Sequence, residues 1–292
     1  MGDLGGRGVR RRPVSVCAAL LLAALAHPLM PRGAGAHQDL ADVLAAHERE
    51  HARRGSDPAI HLEEANLRRQ ARDVDGALVA VERAAALGAE PGDIAIVRGQ
   101  VFLDAGWPGA ARAEVDRALR AHPERVHVRL TRARAAHRLG ELTAAAADYR
   151  AAIAGMRSPT PDHVVEYRDV LLEAGDRAGA LAALDLGMTR IGPVPTLQLP
   201  AIDLALALDR DADALRRIDA LLAQNPRNER WLARRGEILE RSGRTDEAKH
   251  TYGVALALIE ARPAGRRGGR IRALEQRLRA HLAPTTKEKD TP

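Results

Sequence analysis

Cysteine is nearly absent from this chain: Cys17 is the only one in 292 residues. A single thiol forms no intramolecular disulfide and holds no thiolate metal cluster. Aromatic residues are almost as scarce, at 2%. Six rings cannot build aromatic cages or base-stacking platforms, so recognition of nucleic acid by stacking is excluded. No Gly-rich phosphate loop and no G-x-S-x-G nucleophile turn occurs, and no small-molecule cofactor is expected. Asp and Glu are plentiful, but spread along helical patterns they read as solvated faces rather than acid–base pairs.

The apolar run Val14 to Ala26 is thirteen residues, too few to anchor a helix across a bilayer. It follows Arg7, Arg10, Arg11 and Arg12 and precedes Pro28, Pro31 and the small-residue sequence Ala34-Gly35-Ala36. A basic region, a short apolar run and an A-x-A site predict a signal peptide over 1–36, with cleavage after Ala36. The mature chain is then periplasmic or extracellular and has lost its only cysteine. The whole chain carries a formal charge of +6, and Arg262 to Pro292 alone carries +6, so the basic character sits at the carboxyl end.

What is abundant is alanine, and it recurs with a period. Ala77, Ala111, Ala145, Ala180, Ala214 and Ala248 are spaced 34, 34, 35, 34 and 34 apart. Each opens an i, i+4, i+7 series along one helical face, such as Ala111/Val115/Ala118 and Ala248/Tyr252/Ala255. Twelve residues earlier stands a second small slot, at Ala65, Gly99, Ala133 and Gly236. Small residues on two facing helices let the backbones approach closely. Gly106, Gly140, Gly175 and Gly243 fall between the helices, where a left-handed residue ends a helix. After Gly243, Thr245 is expected to cap the next helix. Arg168 and Ile202 depart from the small slot and Gly187 from the third packing position. Pro200 falls inside an expected helix and should kink or shorten it. A fixed period of this length signals stacked repeats.

Seven packing positions of the second unit, Gly99, Phe102, Gly106, Ala111, Val115, Ala118 and Pro123, resemble those of a tetratricopeptide repeat. The resemblance spans about Pro58 to Pro263. It implies an all-α, right-handed superhelical solenoid of antiparallel helix pairs, with capping helices at both ends. The expected order is a capping helix over 37–57, six repeats over 58–262, a loop and second capping helix over 263–283, and a polar tail over 284–292. The family's inner groove binds proteins or peptides through its first helices. Those positions fall here on Asn66, Arg69, Gln70, Gln100, Asp104, Arg134, His137 and Arg138, then Asp169, Glu173, Asp203, Glu237 and Arg241. Arg134 and Arg138 would take a short acidic segment. The lysines with which some members clamp a chaperone's terminal carboxylate are replaced by Leu62 and Leu130.

Two other functions compete with a non-catalytic binding scaffold. His47-Glu48-Arg49-Glu50-His51 matches the H-E-x-x-H pattern of zinc hydrolases, in which two His one turn apart bind the metal and Glu acts as base. A third ligand and a cleft are needed, and the motif lies in a helix rich in Arg and Glu. No metal site and no enzyme activity are therefore expected. The basic amphipathic stretch Arg270 to Leu282, with Ile271, Leu274, Leu278 and Leu282 on one face, either caps the last repeat or docks on an anionic membrane.

Overall fold

The computed structural model describes residues 56–283 and, apart from them, Ala46. The leader, the His47–His51 motif, the helix expected over 38–54 and the polar tail lie outside the described residues. The chain divides into two compact units, Met1–Arg54 and Gly55–Pro292, and the helices described here belong to the second.

Among the described residues there are thirteen α-helices and no strand. Twelve form six pairs: α1 (Pro58–Gln70) with α2 (Val74–Ala86), α3 (Pro91–Asp104) with α4 (Pro108–Ala121), and α5 (Val126–Arg138) with α6 (Leu142–Gly155). Then come α7 (Pro161–Glu173) with α8 (Arg177–Ile191), α9 (Pro195–Ala207) with α10 (Asp211–Gln224), and α11 (Glu229–Arg241) with α12 (Thr245–Glu260). A short turn and α13 (Gly269–Leu282) follow. Proline opens α1, α3, α4, α7 and α9, where its missing N–H is no loss. Each helix packs on the next, and the result is an all-α solenoid.

The period comes from one turn made six times. Three residues join the helices of every pair, and the middle one has positive φ: Arg72, Gly106, Gly140, Gly175, Asp209 and Gly243. In each, the N–H after that residue reaches back five positions, from Asp73 to the Arg68 carbonyl through Arg244 to Leu239, at 2.7–2.9 Å. This satisfies a carbonyl left over at the helix end. Four of these positions are the expected glycines, but Arg72 and Asp209 adopt the same conformation with a side chain attached. The turn geometry, not glycine, is what repeats.

The six period-setting alanines are all buried, at 0–1% exposure, and Ala65, Gly99, Ala133 and Gly236 face them. At Gly99 an added methyl would lie 3.0 Å from Thr131 and 3.2 Å from Val115; at Gly236 it would enter the Tyr252 ring. Gly187 is explained likewise, because Val164 of α7 sits on the space a side chain would fill.

Two expectations need correcting. Pro200 does not shorten its helix: α9 spans thirteen residues, like most other first helices. Ile202 fills the small slot of that unit and is fully buried there, while Arg168 in the unit before bridges to Asp169. Thr245 is not a cap but the first helical residue. Arg244 precedes it and forms a two-pronged pair with Glu247, both contacts at 2.7 Å.

The apolar face of α13 is taken up by the protein itself. Leu274 and Leu278 are buried, with Ile271 and Leu282 half-buried, in a core that continues into α11 and α12. Among the described residues, no helix is long and apolar enough to cross a membrane.

Candidate protein-binding face

Each second helix packs on the first helix of the next unit, and like helices approach more often among the first (α1 on α3, α3 on α5, α7 on α9) than among the second (α6 on α8). Close approach of like helices marks the inner side of a curved stack, so the first helices line the concave face. Side chains there face two neighbours at once, and the charged ones pair across the joints.

Arg69 of α1 binds Asp104 of α3 at 2.5 Å. Arg134 of α5 makes two parallel contacts to Glu166 of α7, at 2.8 and 2.9 Å, in the fork geometry that arginine and carboxylate share. Tyr149 donates its hydroxyl to the same carboxylate at 3.0 Å. Burial and the charge of Glu166 push the Tyr149 hydroxyl well above the ordinary tyrosine range, so it stays protonated as a donor. Burial disfavours the Arg134 charge, but Glu166 outweighs it and raises the guanidinium above its usual value. His137 reaches Glu173 at 2.7 Å, and Asp203 of α9 binds Arg234 of α11 at 2.5 Å. Arg241 bridges Asp209 and Asp211. Asp169 is held by Arg168, and Glu237 by Arg234 at 3.0 Å.

The structure therefore brings most of the charges expected on this face into contact with one another rather than leaving them to a ligand. Arg134 in particular is already occupied by Glu166. Asn66, Gln100 and exposed Arg138 are different: among the described residues they make no side-chain hydrogen bond or ion pair.

A second ladder, missed in the sequence, ties the first helices to the second ones. Arg98 bridges Glu82 and Glu114, both at 2.8 Å. Arg132 bridges Asp116 and Asp148. Arg235 reaches Asp219 at 2.7 Å and Thr251 at 3.1 Å. Each arginine precedes the small slot of its helix and clamps the second helix of its own unit to that of the unit before. Tyr167 and Ala201 hold this position in the fourth and fifth units, where the second helices are tied instead by Arg190 to the Ala154 and Met156 carbonyls and by Arg217 to Asp185.

Residues 96–159 and 199–264 match the family model for the tetratricopeptide repeat, over the helix pairs just described. The chain is a tetratricopeptide repeat protein. No curated protein matches its sequence. Solved structures of similar fold include PilW, a widely conserved type IV pilus biogenesis factor, at 19% identity and a TM-score of 0.50 over 65% of this chain and 88% of that one. A thermophilic tetratricopeptide repeat protein of Thermus thermophilus has 18% identity and a TM-score of 0.42, over 62% and 98%. YrrB, a repeat protein with an unusual peptide-binding site, has 20% identity and a TM-score of 0.40, over 64% and 89%. At these identities the likeness concerns the fold.

Among the described residues, no group of three or more His, Cys, Asp or Glu is placed to hold a metal ion. Leu130 is buried and Leu62 half-buried in the core, so neither offers a contact to a ligand's carboxylate.

Proposed function

We propose that the protein is a non-catalytic scaffold that binds another protein or a peptide segment along its first-helix face. The observation that carries this reading is the pairing across the joints. Arg69–Asp104, Arg134–Glu166, His137–Glu173 and Asp203–Arg234 hold that face at a fixed spacing, and Asn66, Gln100 and Arg138 stand between them with donors and acceptors unspent. A preformed surface loses little entropy on binding, and polar groups at fixed helical intervals select the ligand.

Arg7 to Arg12, the apolar run Val14 to Ala26 and Ala34-Gly35-Ala36 support the further reading that the protein works in the cell envelope or outside it, after cleavage following Ala36. The amino-terminal sequence of the protein isolated from its own cells tests that, and a chain beginning at residue 37 is the expected result. For the face itself, the tagged protein is compared with a Gln100→Glu/Arg138→Glu variant in capture from those cells. Both residues are unpaired, so the variant keeps its helicity. A partner lost from the variant supports the reading. A partner retained at full recovery places the working surface elsewhere.

A further inference from the structure

The joint between α11 and α13 is crossed by Glu237–Arg277 and Glu240–His281 but leaves two arginines unpaired at its open end. A cleft of about 360 Å³ opens there, lined by Arg230, Ala233, Arg234 and Glu237 of α11 and by Arg270, Leu274 and Arg277 of α13. Its lining runs in step along the two helices: Arg230 and Arg270, then Arg234 and Leu274 one turn on, then Glu237 and Arg277. Ala233 and Leu274, at 3% and 5% exposure, make an apolar floor.

Four arginines share this cleft with one carboxylate. Glu237 is already engaged by Arg234 at 3.0 Å, and Arg277 stands 3.9 Å from its other oxygen. Arg234 also holds Asp203 on its far side. Arg230 and Arg270 are exposed, and among the described residues neither has an ion-pair partner. Each is the second residue of its helix, where the positive end of the helix dipole disfavours a cation and favours an anion. Two unpaired guanidinium groups at the mouth of one cleft repel each other until something negative lies between them.

Elsewhere on this face the chain supplies that negative group. An arginine of one first helix meets a carboxylate of the next at Arg69–Asp104 and Arg134–Glu166, and at Asp203–Arg234 the order is reversed. At the last joint Glu237 meets Arg277 and Glu240 meets His281, but among the described residues no carboxylate reaches Arg230 or Arg270. We propose that the α11–α13 cleft is a subsite for an acidic segment of a partner protein, whose Asp or Glu carboxylates bridge Arg230 and Arg270. The carboxylate fits because guanidinium and carboxylate match edge to edge, and because the apolar floor takes the methylenes of a Glu side chain. The inference rests on the scaffold reading and gives the chemistry of one end of its ligand.

The test is fluorescence anisotropy of a labelled hexaglutamate peptide with the full mature protein at low ionic strength. An Arg230→Glu/Arg270→Glu variant and an Arg120→Glu/Arg150→Glu control remove the same charge from exposed, unpaired positions. Affinity is expected to fall by about tenfold or more in the first and by less than about twofold in the control. Equal losses in the two variants would overturn the proposal, because binding would then follow overall charge alone. Failure of the wild-type protein to bind the peptide would overturn it as well. So would displacement by tripolyphosphate at a lower concentration than by unlabelled hexaglutamate, which makes the cleft a phosphate site. None of these results touches capture through Gln100 and Arg138, so this inference and the scaffold reading fail separately.

Discussion

The two ends of the solenoid hold their repeats together by different means. In the first two units, buried apolar side chains fall into small separate clusters, one of Ala65, Ala80, Val81 and Val97, another around Val115 and Leu119. From Leu130 to Leu278 they form a single continuous core. Of the twelve bulkiest fully buried side chains, all but Ile60 lie at Tyr149 or beyond. Arginine pairs cross the joints at both ends, as at Arg98–Glu82 and Arg112–Glu141 early and at Arg217–Asp185 and Asp203–Arg234 late, but the early ones have no continuous apolar core beneath them. Half-exposed ion pairs contribute little each and weaken in salt, whereas apolar burial does not depend on salt in that way. In a stacked array each joint has its own strength. The difference therefore makes the amino-terminal units the first to open and leaves the carboxyl-terminal block as the stiff part.

Cutting the large core should show the difference most strongly. Leu184→Ala removes a fully buried side chain and is expected to cost about 2–5 kcal/mol. The loss should fall on the whole block from α5 to α12, seen as a lower urea midpoint by circular dichroism. Val97→Ala in the amino-terminal cluster should cost only roughly 1–2 kcal/mol. Equal costs, or one shared transition, would erase the distinction.

The arginine joints come next. Arg132 makes contacts of 2.6 Å to both oxygens of Asp148, and its side chain is 28% exposed. Arg132→Ala should cost about 1–2 kcal/mol after allowance for that exposure. The loss should shrink in high salt, whereas that of Leu184→Ala should not. Thermal melts at low and high salt separate the two.

A substitution that strengthens the weaker end is the converse test. Arg72 holds a left-handed conformation that strains an L side chain, so Arg72→Gly should stabilise the first unit by about 0.5–1 kcal/mol. The gain should appear as slower amide exchange in α1 and α2 and leave α5–α12 unchanged.

The smallest effect is on pH. His163 accepts the Thr160 N–H at the start of α7. Burial, then the charge of Arg134, lower its pKa, against opposing pulls from Glu166 and Asp162, while His127 adds to the lowering. With the folded value below the unfolded one, near 6.5, the stability is full above about pH 6.5 and is lost as pH falls through the lowered value. His163→Gln should flatten that part of the melting-temperature profile.

Much of this fold was legible because small residues at fixed spacing leave few alternatives: the alanine period, the glycine turns and the paired helices all follow from it. Arg72 and Asp209 hid two turns, since nothing about an Arg or Asp announces a left-handed backbone. Pro200 misled in the other direction, because packing on both sides holds α9 helical despite its lost hydrogen bond. The face was less legible than the fold. The charged first-helix residues stand out in the sequence, but most of their partners lie 30–36 residues away and only stacking brings them together. A signal was present nonetheless: opposite charges one period apart, as at Arg69 and Asp104, and arginine recurring at 98, 132 and 235. Arg230 and Arg270 escaped because the six-residue lengthening before α13 breaks the period there.

The most direct measurement is amide hydrogen exchange along the full chain, repeated at low and high salt. Slow exchange throughout α5–α12, with faster and salt-sensitive exchange in α1–α4, is the predicted pattern. Uniform protection from α1 to α13, unmoved by salt, would contradict it, because the arginine joints and the continuous core would then be equivalent.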